Sequence, residues 1–130
     1  MLLAALTPVL TPLRLRQLAR LVAPIHLQAA ALLLPPLSSL LSPFPSPLPA
    51  LPPPQARERL RQALVALVLG LARIAPHLWV LEDLQWADAE TLSLLPSLLP
   101  HLAESRALLL LTGRSTELRV NPAAWDALQS

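Results

Sequence analysis

The apolar positions of this chain fall into short blocks separated by proline. Over residues 13–22, Leu15, Leu18, Ala19 and Val22 share one helical face, with Arg14, Gln17 and Arg20 elsewhere. Pro24 ends that helix. Residues 25–34 predict a second one, stopped by Pro35 and Pro36, and residues 37–41 fit one further turn. The clearest helix covers residues 55–74. Leu60, Leu64, Leu67, Val68 and Leu71 recur at helical spacing, while Arg57, Arg61 and Gln62 lie off that stripe. Glu58 stands early in it, where its charge suits the positive end of the helix dipole. Pro76 closes the segment.

The pattern then changes period. Residues 78–81, LWVL, are a continuous apolar run ending in Glu82 and Asp83, too short for a helix after a proline, and predict a buried strand. Asp88 stands where a helix N-cap belongs, with Glu90 in the first turn behind it. Leu92, Leu95, Leu99 and Leu102 form one face of the helix that follows, which Pro96 and Pro100 are expected to kink or shorten. Residues 107–112, ALLLLT, predict a second strand. A strand, a helix and a strand on short connections make a right-handed unit with parallel strands. Asn121 and Pro122 then read as a cap and first residue of a short helix through Leu128.

Between these halves, seven of the twelve residues 43–54 are proline. Such a stretch is neither helix interior nor central strand, and reads as an extended linker. It divides the chain into a Leu- and Pro-rich helical segment, 1–42, the linker, and a helix-plus-sheet segment, 55–130. The expected fold class is α/β, mostly helical, with a two-stranded parallel sheet.

Composition narrows the chemistry. With no Cys among the 130 residues, disulfides, thiolate metal sites and Cys nucleophiles are excluded. All basic residues are Arg, so the pI near 11.0 reflects arginine titration and not a strong field; the net charge is +2. Arg14, Arg16 and Arg20, and Arg57, Arg59 and Arg61, read as solvated helix faces. With four aromatic residues in all there is no stacking platform for single strands, and no nucleic-acid site is evident. His26, His77 and His101 lack ligand spacing, and no serine sits in a hydrolase elbow. The first twelve residues are apolar but carry no basic residue ahead of the apolar run, unlike a secretory signal. Residues 63–81 have the length of a membrane span, but they contain Arg73 and His77 and run into two acids. A central Arg costs about 2.5–3.5 kcal/mol on insertion scales, so a helix followed by a strand is the better reading. A cytoplasmic location is expected.

An apolar strand ending in paired acids has a chemical logic. In open α/β sheets, ligands bind at the carboxyl ends of strands. A carboxylate fixed there can hold a hydrated magnesium ion, and a second can orient or deprotonate water. An Arg at the neighbouring strand tip can contact a terminal phosphate. The longer string, LWVLEDLQWADAETLSLL followed by RALLLLTGR, resembles the second half of the ATPase domain of bacterial signal-transduction ATPases. These are the STAND and AAA-type modules of LuxR-type and MalT-like transcriptional regulators and of adenylate-cyclase fusions. Residues 52–73, PPPQARERLRQALVALVLGLAR, resemble the helix that precedes Walker B there. The pattern extends over roughly residues 10–118, and its specific part over 78–114.

The resemblance implies ATP and Mg2+ as ligands and a P-loop fold. It puts Glu82 on the magnesium side and Asp83 at the water-activating position. The family often has Asp first, so the two roles are open to exchange. It makes Gln85, Thr112 and Arg114 nucleotide-binding, Gln85 through a polar contact and Thr112 and Arg114 from the sensor end of the second strand, and gives Trp86 a packing role and Asp88 a capping role. It also requires G-x-x-x-x-G-K-[ST] to hold phosphates. The chain has Gly only at 70 and 113 and no Lys, so that loop is not in it. The reading is therefore part of a regulatory ATPase domain, inactive alone, that self-associates or joins the rest of an ATPase module. Two other readings stay open: a non-enzymatic helical interaction protein, and a membrane-associated protein built on residues 63–81.

Overall fold

The computed structural model describes residues 1–41 and 47–129. Element α1 (Leu2–Leu6) leads through a 3-10 turn into α2 (Pro12–Leu21) and α3 (Pro24–Ala30). A 3-10 turn over Pro35–Leu40 ends this first group. The long helix α4 (Pro53–Ile74) is followed by β1 (His77–Leu81), α5 (Ala89–Leu102), β2 (Ala107–Leu111), α6 (Ser115–Val120) and α7 (Pro122–Gln129). Of the proline-rich stretch, residues 43–46 lie outside the described residues, and residues 47–52 carry no regular hydrogen-bonded structure.

Helix α4 starts on three prolines because the first helical N–H groups have no partner inside the helix anyway. Pro53 and Pro54 occupy its first positions. It stops where Ala75 turns extended ahead of Pro76. Arg106 completes that end: its Nε donates to the Ala72 carbonyl at 3.3 Å and its Nη2 to the Arg73 carbonyl at 2.6 Å. A cation on the last carbonyls also opposes the helix dipole.

The buried stripe of α4, with Leu64, Leu67, Val68 and Leu71, is the centre of the core. Helices α2, α3 and α5 all pack on it. Leu15, Leu18, Val22, Leu27 and Leu37 from the first group join one cluster with Trp79, Leu81, Leu95 and Leu98. Residues 1–12 are also structural, which their composition did not show: Leu2, Leu6 and Leu10 are buried in the same cluster.

The two strands pair in parallel, His77 opposite Ala107 through Leu81 opposite Leu111. The two apolar runs read as buried strands, but only one face is covered. Trp79 and Leu81 are buried, whereas Leu78 is 62% and Val80 45% exposed, with Leu108 at 66% and Leu110 at 50% beside them. On the covered side α5 packs on β2, and Trp79 and Leu81 share one cluster with the α4 stripe; the side chains of the other face are exposed. Residues 63–81 are divided between α4 and β1, and among the described residues no helix is long and apolar enough to cross a membrane.

Helix α5 runs through both of its prolines without a break. Pro96 and Pro100 lie on its exposed face, where water can take up the carbonyls that lose an N–H partner. The opposite side buries Leu92, Leu94, Leu95 and Leu98.

Gly70 marks the tightest helix contact. A Cβ there would meet Val22 Cγ2 at 2.6 Å and Leu18 Cδ2 at 3.1 Å. Ala at this position gains up to about 1 kcal/mol of helix propensity. Overpacking against a stiff β-branched side chain costs about 1–3 kcal/mol. Gly70→Ala is therefore expected to lower stability by about 1 kcal/mol net. Urea unfolding checks this, and a stabilised variant would show that the α2–α4 contact yields.

Candidate functional site

The carboxyl ends of β1 and β2 lie side by side. In a regular parallel ladder, Thr112 would bond to residues 81 and 83, which flank its partner Glu82. The structure shows Thr112 N donating to the Leu81 carbonyl at 3.0 Å, and the Thr112 carbonyl accepting from Leu84 N at 2.8 Å. One extra residue has been inserted, as in a β-bulge. Asp83 takes up the insertion with φ of 54° and ψ of 50°. It is the one non-glycine residue with positive φ among the described residues, and Asp tolerates that region better than most side chains. The result is a two-residue projection, Glu82 and Asp83, clamped on both sides by one backbone. Both acids are exposed.

Beyond Asp83 the chain makes a 3-10 turn, Leu84–Trp86, that buries its first two side chains and exposes the third. Leu84 enters the core. Gln85 is only 6% exposed. Its Oε1 accepts from Arg114 N at 3.1 Å, and its Nε2 donates to Asp83 Oδ1 at 3.2 Å. Its own carbonyl accepts from Asn121 Nδ2 at 3.3 Å. Gly113 makes room for this crossing: a Cβ there would stand 3.0 Å from Gln85 Oε1 and 2.8 Å from Leu118 Cδ1.

Trp86 departs from expectation. It is 74% exposed and does not pack into the core. With Val120, Pro122, Glu117, Gln85 and Asn121 it lines an open cleft of about 540 Å³ beside the strand tips. The turn at Leu84–Trp86 commits Leu84 and Gln85 inward and leaves the third side chain outside.

Asp88 caps α5, its Oδ1 accepting from Thr91 N at 2.7 Å. Its other oxygen accepts from the Met1 amino group, and Leu2 N donates to Thr91 Oγ1 at 3.1 Å, so α1 is tied to this cap. Burial acts to raise the Asp88 pKa. The hydrogen bonds from Met1 and Thr91, with the charge of that amino group, outweigh it and bring the carboxyl from 3.8 down to about 2.

Arg114 opens α6. Its guanidinium lies on Glu117 at 3.0 Å and is largely exposed. The second Glu117 oxygen is buried without a hydrogen-bond partner. Asn121 has two roles where its sequence context showed one. Its Oδ1 accepts from Ala124 N at 3.2 Å as the cap of α7, and its Nδ2 reaches Gln85. The helix signal at Asn121-Pro122 could not reveal the second contact, because Gln85 is 36 residues away.

Two exposed carboxylates and the Thr112 hydroxyl are hard oxygen donors. Among the described residues no cluster of three or more His, Cys, Asp or Glu could hold a metal ion by itself. Oxygens of this kind are the ligand type that a magnesium-sized cation takes, and a cation held by so few protein groups brings most of its own oxygen ligands. The phosphate side has no match: Gly70 is buried inside α4, Gly113 is taken up by Gln85 and Leu118, and the chain has no Lys.

A protein-family model, that of the AAA ATPase domain, matches residues 2–111. No curated protein and no solved structure matches the chain.

Two outcomes follow from this geometry. Because the folded state holds the charged Asp88, its contribution is complete above pH 3.8 and is lost as the pH falls through about 2. Asp88→Asn keeps a capping oxygen and removes the charge, so it should be less stable than wild type near pH 6, with the gap closing as the pH falls through about 2. Urea midpoints against pH measure this. Trp86→Ala, by contrast, should change the unfolding free energy by no more than about 0.5 kcal/mol, as at other exposed positions; a larger loss would mean that the indole packs.

Proposed function

This chain belongs to the AAA ATPase domain family, and from that premise we propose that it carries the magnesium-facing strand tips of a regulatory ATPase module. The observation that carries the reading is the clamped projection of Glu82 and Asp83 beside Thr112. In this reading residues 78–88 are the Walker B segment of a STAND-type signal-transduction ATPase, of the kind found in LuxR-type and MalT-like transcriptional regulators. The parent activity is ATP binding and hydrolysis used as a cytoplasmic switch. Glu82 and Asp83 would share the Mg2+ and the activation of water. Thr112 and Arg114 would face the terminal phosphate. Arg114 must first leave Glu117, to which it is paired at 3.0 Å. Gln85 takes a different place from that of a direct nucleotide contact, since its amide is already used inside the protein.

The chain alone is proposed to be inactive. Magnesium at such a site is held largely by nucleotide phosphates, and no residues here hold a phosphate chain. The bare sheet face, Leu78, Val80, Leu108 and Leu110, supports association with the rest of an ATPase module or with another copy. It equally supports the second reading, a non-enzymatic interaction protein.

Titration of the purified chain with magnesium-ATP should show neither micromolar binding nor turnover, and either result would overturn its proposed inactivity. Adding a polypeptide that carries a glycine-rich phosphate loop with its Lys should restore nucleotide binding in trans. That binding should be lost again in Glu82→Gln/Asp83→Asn. A chain that only self-associates, with no gain on mixing, would favour the interaction reading.

A further inference from the structure

Gln85 is buried, polar and placed between the two strand tips, and its amide has no slack. A backbone N–H can only donate and a carboxylate can only accept. The oxygen of the amide must therefore face Arg114 N, at 3.1 Å, and its NH2 must face Asp83 Oδ1, at 3.2 Å. No apolar side chain satisfies either partner. Glu would set a carboxylate against the Asp83 carboxylate.

The contacts continue on both sides. The Arg114 carbonyl accepts from Glu117 N at 3.0 Å and from Leu118 N at 2.9 Å, so the residue that Gln85 holds is the one that starts α6. The main-chain carbonyl of Gln85 holds Asn121, which caps α7. One residue thus joins an exposed acid to the starts of two helices, α6 through its side-chain amide and α7 through its main-chain carbonyl. A cross-link needed only for stability has no reason to end on an exposed carboxylate at a strand tip.

We propose that Gln85 is a positioning residue that fixes the Asp83 carboxylate and couples its occupancy to Arg114 and, through Asn121, to α6 and α7. The proposal rests on the reading of Asp83 as one of the two functional acids. Anything that draws Asp83 Oδ1 away pulls on Nε2. Because the amide is rigid, Oε1 moves with it, and the hydrogen bond to Arg114 N changes. Arg114 is the residue whose side chain must leave Glu117 to reach a ligand. The same amide therefore ties acid and arginine to one movement.

The test uses the intact chain, no nucleotide, and amide NMR. Asp83→Gly suits the left-handed backbone at this position and removes the acceptor. It should move the Arg114 backbone N–H and Asn121 side-chain NH2 resonances, although neither group touches residue 83 through a hydrogen bond. Asp83→Asn keeps an oxygen for Gln85 Nε2 and should bring both resonances back toward their wild-type positions. In a Gln85→Leu background the Asp83→Gly change should no longer reach Arg114. If Gln85→Leu fails to fold, the Asp83 pair still decides. Arg114 and Asn121 resonances unmoved by Asp83→Gly, or moved equally by Asp83→Gly and Asp83→Asn, would overturn the coupling. Failure of nucleotide binding leaves this result untouched, so the two readings fail separately.

Discussion

The structure depends on one apolar stripe. Leu64, Leu67, Val68 and Leu71 of α4 are buried where α2, α3 and α5 pack on that helix. Burying one such side chain is worth about 1.5–3 kcal/mol, against a net stability of about 5–15 kcal/mol for a domain. The sheet is placed by the same helix: α4 ends at Ile74, β1 begins at His77 after Ala75 and Pro76, and Arg106 bonds the end of α4 to the start of β2. Because the core covers the strands from one side only, the opposite face, with Leu78, Val80, Leu108 and Leu110, stays apolar and open.

That asymmetry shapes the function. A sheet with one covered face can still fix a loop at its carboxyl end, since Thr112 grips the chain before and after the acid pair. Its other face, with Leu78, Val80, Leu108 and Leu110, is left exposed. The acids, Thr112 and Arg114 stand on short connections of rigid elements, and Gln85 locks those connections to each other. Precision at the tips and incompleteness around them are two results of the same half-layered architecture.

Much of the architecture was legible because it rests on local signals. Proline placement set the helix ends near residues 24 and 76, Asp88 and Asn121 announced their caps, and the change of period after Pro76 announced the strands. Three features were not legible, each for a physical reason. Helix α1 has no charged face, so its amphipathic pattern is silent until Leu2 and Leu6 meet the core. Pro96 and Pro100 signal a break, yet the break is avoided because both lie toward solvent. The strands are uniformly apolar, so their composition indicated burial on both faces, and only the layer arrangement shows that Leu78, Val80, Leu108 and Leu110 are bare.

At the site the division is sharper. Residue types and spacing alone established two acids at a strand end, a Thr and an Arg at the next strand end, and no residues able to form a phosphate loop. These are properties of a short string, and a string can be read without coordinates. Tertiary structure decided the rest. The extra residue at Asp83, the exposure of Trp86 and the inward turn of Gln85 all follow from how β2 pairs with β1. Gln85 meets Arg114 across 29 residues and Asn121 across 36. Hydrogen bonds over such separations leave no periodic trace in sequence, because they exist only once the two strands have been brought together.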